Sequence, residues 1–454
     1  MVFRAFCKKR VKRAGAHPVS WLAALVVGTV CVASPSGAQV PPLDAEDNQH
    51  EPPPPPLTLS AVLKIALARN PELAEARERT RAERELAPSA GRRPDPELEY
   101  QLWAAPLDRP YALGDAEMHM LGIRQSFPAP GSLGAQSDAA AARADVTRQA
   151  ERARQQQLVA RVRRAYAQYY LADREYRAHV EHATLARQTV ELTRAVYQGG
   201  RGSQQDILRA ELALARLHSD LTRVEADRKA AGGLLNNLMA RPAEAPLGPP
   251  GDLEDIAVTV RAEQALKRIE QRPEIAAGHD AVRASANDAE AARAAGRWPS
   301  FMVGVQYMYM PPMEQPHHYG VMLSMSVPWL SSRYDEQQRA AEARVAAERS
   351  ALSSARLAAS YELFEANERL KAARASLGII ERDLLPQAQR SFEAAQAAYR
   401  GGGGDSLGLF DALNTLLDVR LERERARASV ATALANLDLA VGKPTFAVSP
   451  KEGK

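Results

Sequence analysis

The chain has 454 residues, of which 45% are hydrophobic, 6% aromatic and 25% charged, with a formal net charge of +4. Six basic residues (Arg4, Lys8, Lys9, Arg10, Lys12 and Arg13) and no acidic ones precede residue 39, so the remainder carries 53 basic against 55 acidic residues, about −2. That balance excludes an electrostatic case for nucleic acid. With Cys7 and Cys31 the only cysteines, it leaves no thiols or disulfides beyond residue 38.

Residues 1–38 read as an export signal: a basic start, an apolar stretch from Trp21 to Val32, and the small-residue cleavage motif Ser36-Gly37-Ala38. The apolar part is too short to span a bilayer. Gly28-Thr29-Val30 before Cys31 lacks the small residue that lipoprotein processing requires. Residues 39–56, with Pro41, Pro42 and Pro52 to Pro56, form an extended polyproline leader that cannot build a core.

Helices begin at Thr58-Leu59-Ser60, and Asn70-Pro71-Glu72-Leu73 opens a second one that runs to about Pro88. The period then changes. Glu97 to Trp103 and Met118 to Phe127 predict two strands of a hairpin. From Ser132 to Tyr197 the chain contains no proline, and its Ala, Arg, Gln and Glu content predicts one helix about 100 Å long. It stops at Tyr197-Gln198-Gly199-Gly200-Arg201-Gly202-Ser203, and another helix follows.

The same order then recurs. Asn70-Pro71-Glu72-Leu73 returns as Arg272-Pro273-Glu274-Ile275, Gly91-Arg92-Arg93-Pro94 as Gly296-Arg297-Trp298-Pro299, and Phe127-Pro128 as Val327-Pro328, at spacings of 202, 205 and 200 residues. Two more strands are expected at Phe301 to Tyr309 and Val321 to Val327, then a second rod from Ser332 to Tyr399 that ends in four glycines. The domain reading is a signal (1–38), a leader (39–56), two copies of one unit (57–246 and 247–443) and a tail (444–454). Each unit holds a hairpin (97–127, 301–327), a long helix (132–198, 332–399) and a return helix (203–240, 406–441).

Within the rods a seven-residue spacing places Val162, Tyr169, Tyr176, Ala183, Val190 and Tyr197 on one line. A row of mainly small residues runs beside it at Ala165, Ala172, His179, Ala186 and Thr193, and Leu363, Leu370, Leu377 and Leu384 repeat the pattern in the second rod. Sustained sevens imply supercoiling against partner helices, and small residues let the axes approach closely. Pro386 has no counterpart in the first rod and predicts a bend in the second. The strands are near the length of a tilted membrane strand and carry Tyr100, Trp103, Tyr307, Tyr309 and Trp329 near their ends. Four strands cannot close a barrel, whereas three chains supply twelve.

The chain resembles the TolC-like outer-membrane efflux proteins from Leu57 to about Lys443. The resemblance lies in Leu57-Thr58-Leu59-Ser60-Ala61-Val62-Leu63, the duplicated Pro-Glu element and the strand-Pro junctions. It extends to the two Tyr-x-x-Gly turns, followed by Asp206-Ile207-Leu208 and Phe410-Asp411-Ala412-Leu413. It implies a mainly α fold with a small membrane β-barrel, a homotrimer closing twelve strands in outer-membrane lipid, and a helical tunnel in the periplasm. It also implies a periplasmic adaptor and an inner-membrane pump as partners.

The resemblance assigns the glycine turns to the periplasmic tips, with Tyr197, Gly200, Ser203, Asp206, Tyr399, Gly402, Asp405 and Asp411 as tip and gate residues. On chemistry alone, Asp206 and Asp405 suit helix caps, and threefold symmetry would also gather such carboxylates into an acidic ring. In the second hairpin Met308, Met310, Met313, His317 and His318 are candidate ligands for copper or silver, with Met118, His119 and Met120 in the first. They tilt the reading toward heavy-metal export by an RND-type system; packing methionines facing lipid are the competing account. His179 and His182 read as solvent-facing or seam residues rather than ligands. The chain has no phosphate loop, nucleophile elbow or cofactor motif, and it reads as a transport protein rather than an enzyme. A drug-efflux or type I secretion channel of the same family, and a pore-less periplasmic adaptor, are the alternatives.

Overall fold

The computed structural model describes residues 57–105, 109, 116–200, 202–253, 268–311, 313–401, 403 and 406–442. The signal, the leader, the tail, Gly402 and Asp405 lie outside these residues. Two short helices open the described chain, α1 (Leu59–Arg69) and α2 (Pro71–Ala90). Thr58 caps α1, its hydroxyl accepting from the Ala61 N–H at 3.3 Å. Asn70 caps α2 by accepting from the Glu72 N–H at 3.0 Å, with Pro71 preset for the first turn. The same Asn70 donates from Nδ2 to the Leu238 carbonyl at 3.1 Å, so one side chain both starts α2 and fixes it to a distant helix end.

Strands β1 (Glu97–Trp103) and β2 (Met118–Phe127) lead into α3 (Ser132–Gln198), a single helix of 67 residues. Helix α4 (Gln204–Leu238) returns along it. The second half repeats the plan with α5 (Pro273–Arg297), β3 (Phe301–Tyr309), β4 (His317–Met325), α6 (Arg333–Ile379), α7 (Leu385–Gly401) and α8 (Ser406–Val441).

Two expectations need correcting here. Strand β4 spans His317–Met325 rather than Val321 to Val327. The tight Met310 to Pro316 turn, closed by the Met310 N–H to the Pro316 carbonyl at 2.7 Å, lets pairing resume at once after Pro316. The second rod is not one α-helix: Ile380–Leu384 form a π segment between α6 and α7, ending just before Pro386. A proline lacks the N–H that would bond four residues back, and its ring crowds that carbonyl; the wider turn accommodates both defects.

All four strands form one antiparallel sheet in the order β1-β2-β3-β4, so β1 and β4 are its edges. Its register joins Tyr100 to Leu121, Leu121 to Tyr307 and Tyr307 to Tyr319. Among the described residues no helix is long and apolar enough to cross a membrane.

Each repeat has its own core. The first gathers Val62, Leu63, Leu158, Val162, Tyr166, Tyr169, Leu235 and Met239. Tyr166 is buried there, its hydroxyl donating to the Leu57 carbonyl at 2.8 Å, and Tyr169 donates to the Gly248 carbonyl at 3.0 Å. The first bond ties the residue before the α1 cap to α3, and the second ties the segment after α4 back onto it. The second core gathers Ile275, Leu352, Leu363, Leu370, Leu434 and Leu437. The heptad lines hold through the middle of the rods: Val162, Tyr169, Ala183 and Val190 are buried, as is the whole row from Ala165 to Thr193. At the ends they give out, with Tyr197 45% and Leu384 39% exposed.

Helix α3 also seals against α8, and this seam is polar as well as apolar. Arg163 pairs with Asp438, Arg164 bonds Asn436 at 2.8 Å, and Tyr170 donates to Glu424 at 3.1 Å. His179 and His182 are both buried on α3, and His179 Nδ1 donates to the Glu175 carbonyl at 2.9 Å. Burial, then the neighbouring His179, pushes the His182 imidazole down to about 4. His182 is therefore neutral in the fold, while in the unfolded chain it gains a proton near pH 6.5. The stability it contributes is complete above about pH 6.5 and declines as pH falls toward about 4. Thermal melts followed by circular dichroism should show a melting temperature that drops over this interval, and His182→Gln should flatten that part of the profile.

Candidate functional site

Two regions collect the functional side chains, the helix tips and one face of the sheet. At the first tip, α3 ends on Gly199, whose N–H reaches the Ala195 carbonyl at 3.1 Å. Gly200 follows at φ +75°, a left-handed conformation that a side chain would strain. Ser203 and Asp206 then form a capping box on α4. The Ser203 hydroxyl accepts from the Asp206 N–H at 3.3 Å, and Asp206 Oδ2 accepts from the Ser203 N–H at 3.0 Å. The other carboxylate oxygen of Asp206 accepts from the hydroxyl of Ser406, the first residue of α8. One carboxylate thus starts a helix and joins the two repeats.

The paired tips are not alike. Tyr399 is 5% exposed and packs with Phe392, Leu409 and Leu413, whereas its counterpart Tyr197 is 45% exposed. Asp411 lies exposed on α8, away from the cap. Ser406 was not among the residues singled out from sequence. Its signal was available, because it stands 203 residues after Ser203 at the same point of the repeat.

The two faces of the sheet differ in kind. Register and alternation place Leu98, Tyr100, Leu102, Leu121, Ile123, Val303, Val305, Tyr307, Tyr319, Val321 and Leu323 on one face. Several are widely exposed, among them Leu98 at 76%, Tyr319 at 82% and Leu323 at 70%. The opposite face carries Glu97, Glu99, Gln101, Arg124 and Gln306. There Arg124 pairs with Glu97 at 3.0 Å and Glu99 at 3.2 Å. In a lipid-spanning sheet the apolar face must point outward and the polar face inward. Gly320 keeps the inward face open: a Cβ there would come within 2.9 Å of Gln306 Nε2.

The register also separates the candidate metal ligands. Met308 and His318 are cross-strand partners on the polar face, while His317 is on the apolar face, where its Nδ1 bonds the Tyr307 hydroxyl. His119 shares that face and lies 2.8 Å from the Tyr100 hydroxyl. Met310 and Met313 belong to the turn, and Met313 is 54% exposed. Among the described residues no group of three His, Cys, Asp or Glu side chains is placed to hold a metal ion.

The profile of the outer membrane efflux proteins matches residues 62–241 and again 265–443, once for each repeat. The chain belongs to the outer membrane efflux protein family. Its fold is shared with solved structures of low sequence identity. One is CusC, at 19% identity and a TM-score of 0.75 over 85% of this chain and 92% of that one. VceC of Vibrio cholerae matches at 18% and 0.71 over 85% and 96%. The outer-membrane channel OprN matches at 20% and 0.72 over 85% and 89%. No curated protein sequence matches this chain significantly. As an outer membrane efflux protein the chain is a non-enzymatic channel component, with its sheet in the outer membrane and its helices in the periplasm. Channels of this family are homotrimers that work with an adaptor and an inner-membrane pump. The hairpin turns lie at the sheet end away from the helices, and hence at the outer mouth.

The Ser406 hydroxyl, then the Ser203 backbone and hydroxyl, hold the Asp206 carboxyl below the ordinary aspartate range. The charge-assisted bond is therefore complete at neutral pH and is lost as pH falls through that depressed value. Ser406 is buried, at 5% exposure, and Ser406→Ala should cost about 1 kcal/mol, or roughly fivefold faster local opening. Hydrogen–deuterium exchange at pH 7 should show the change in peptides covering both tips and none in the sheet.

Proposed function

We propose that three copies of this chain form the outer-membrane duct of a tripartite efflux system, fed by an RND-type pump through a periplasmic adaptor, with heavy-metal cations as cargo. The observation that carries the duct is the four-stranded sheet, with two open edges, one apolar face and one polar face. Such a sheet is unstable alone in lipid and is completed when the edges of three copies pair. The resemblance to the TolC-like proteins implies an inner-membrane pump, and the RND class goes with the heavy-metal reading. The cargo class follows from the thioether and imidazole side chains of the hairpins. Drug efflux and type I secretion use the same duct and differ in cargo.

The tips form the gate in this proposal, with Tyr197, Gly200, Ser203, Asp206, Tyr399, Gly402, Asp405 and Asp411 around it. The Asp206–Ser406 bond supports a clasp between the two repeats of one chain. The π segment and Pro386 lie a few turns above the second tip, at the one interruption in either rod. The second rod is accordingly the moving element and the first its support. Spin labels at Gln198 and Arg400 should then report broader inter-protomer distances at Arg400; equal widths at both sites would contradict the assignment.

The purified protein should run as a trimer and give discrete single-channel currents in a planar bilayer. A monomer without conductance would refute the duct. Deleting the gene should sensitise cells to copper or silver more than to hydrophobic drugs, and the reverse order would reassign the cargo.

A further inference from the structure

The methionines of this chain are unevenly placed. Eight of the ten (Met118, Met120, Met302, Met308, Met310, Met313, Met322 and Met325) fall within or between the strands of the two hairpins. Of the six in strands, only Met325 takes the apolar face; alternation puts Met118, Met120, Met302, Met308 and Met322 on the polar face. No Leu, Ile or Val shares that face with them in any strand. Packing alone does not account for this, because a core or lipid contact would recruit the aliphatic residues that fill the other face. Methionine differs from them in one chemical respect, a polarisable thioether that binds soft metal ions.

The register brings these donors together. Met120 pairs with Met308 across β2 and β3, and Met308 pairs with His318 across β3 and β4, making one row across three strands. Directly opposed residues in such a row have Cβ atoms about 5 Å apart. All three side chains are half-buried. The Nε2 atom of His318 is buried and has no hydrogen-bond partner. An imidazole nitrogen left open beside two thioethers is a donor set for a soft monovalent ion. It is a poor one for zinc or magnesium, which need more nitrogen, thiolate or oxygen donors than this row supplies. The row lies next to the hairpin turns, at the outer mouth.

We propose that Met120, Met308 and His318 form a binding site for Cu(I) or Ag(I) on the lumen face at the channel exit, repeated in each protomer. The inference rests on the polar face being the lumen of the proposed duct, and it narrows the cargo to soft monovalent cations. Neutral thioether and imidazole donors suit passage, since an ion held at an exit must also leave.

The test uses the purified full-length trimer in detergent, in chloride-free buffer, titrated with silver nitrate. Equilibrium dialysis gives the bound silver, and the spectrum of methyl-13C methionine reports which thioethers respond. Wild type should bind silver saturably, with the Met120 and Met308 methyl signals shifting. Met308→Leu and His318→Gln should each weaken binding by about tenfold or more, and Met325→Leu, on the apolar face, should leave it unchanged. Met120→Leu, another volume-conserving change, replaces Met308→Leu if that variant does not assemble. Absence of saturable binding, or equal binding by wild type, Met308→Leu and His318→Gln, overturns the site. Bilayer currents from the same preparations separate the two proposals: conductance without silver binding removes the site and keeps the duct, and loss of conductance in wild type removes the duct.

Discussion

Backbone hydrogen bonding at the two edges of the sheet governs this molecule. A strand edge in water attracts other strands, and in lipid each unpaired N–H or C=O costs several kcal/mol. The described chain has both edges, β1 and β4, and it also has an apolar face that water disfavours and a polar face that lipid disfavours. Neither solvent suits the sheet by itself. Closure with other copies resolves all three conflicts together, because edges pair, apolar side chains meet lipid and polar side chains enclose a lumen. The small number of strands per chain therefore makes assembly a condition of folding in the membrane.

The helices inherit their arrangement from that sheet. Each hairpin enters from one short helix and leaves into one long helix, so sheet closure also sets the rods side by side. Buried alanines along α3 permit close approach, and the charged seam with α8 fixes which neighbour it meets. Arg163–Asp438 and Tyr170–Glu424 are contacts between the two repeats, as is Asp206–Ser406 at the tip. A duplicated sequence thus forms a joint between unequal halves. Tyr399 is absorbed into an apolar tip cluster and Tyr197 is not, and only the second rod has a π segment.

The inward face has a chemistry of its own. Glu97, Glu99, Arg124 and Gln306 occupy the middle rows together with Met322, Met302 lies nearer the helices, and Met120, Met308 and His318 share a row with Gln101 near the exit. The row of Met120, Met308 and His318 follows from the pairing of β2 with the β3–β4 hairpin, which lies far from it in sequence.

Sequence by itself determined the periodic features: the duplication, the helix starts at Thr58 and Asn70, the bounds of β1, β2 and β3, and the length of α3. These depend on local rules, such as cap chemistry, period and turn residues, which act within a few positions of one another. The long-range pairings were decided only in the tertiary structure. Ser406 as the partner of Asp206 required two tips 200 residues apart to meet. The start of β4 depended on how tightly the chain turns at Met310 to Pro316. The division of His317 from His318 is the sharpest case: adjacent in sequence and alike in chemistry, they point to opposite sides because a strand alternates, and only the pairing with β3 shows which side holds Met308 and Met120.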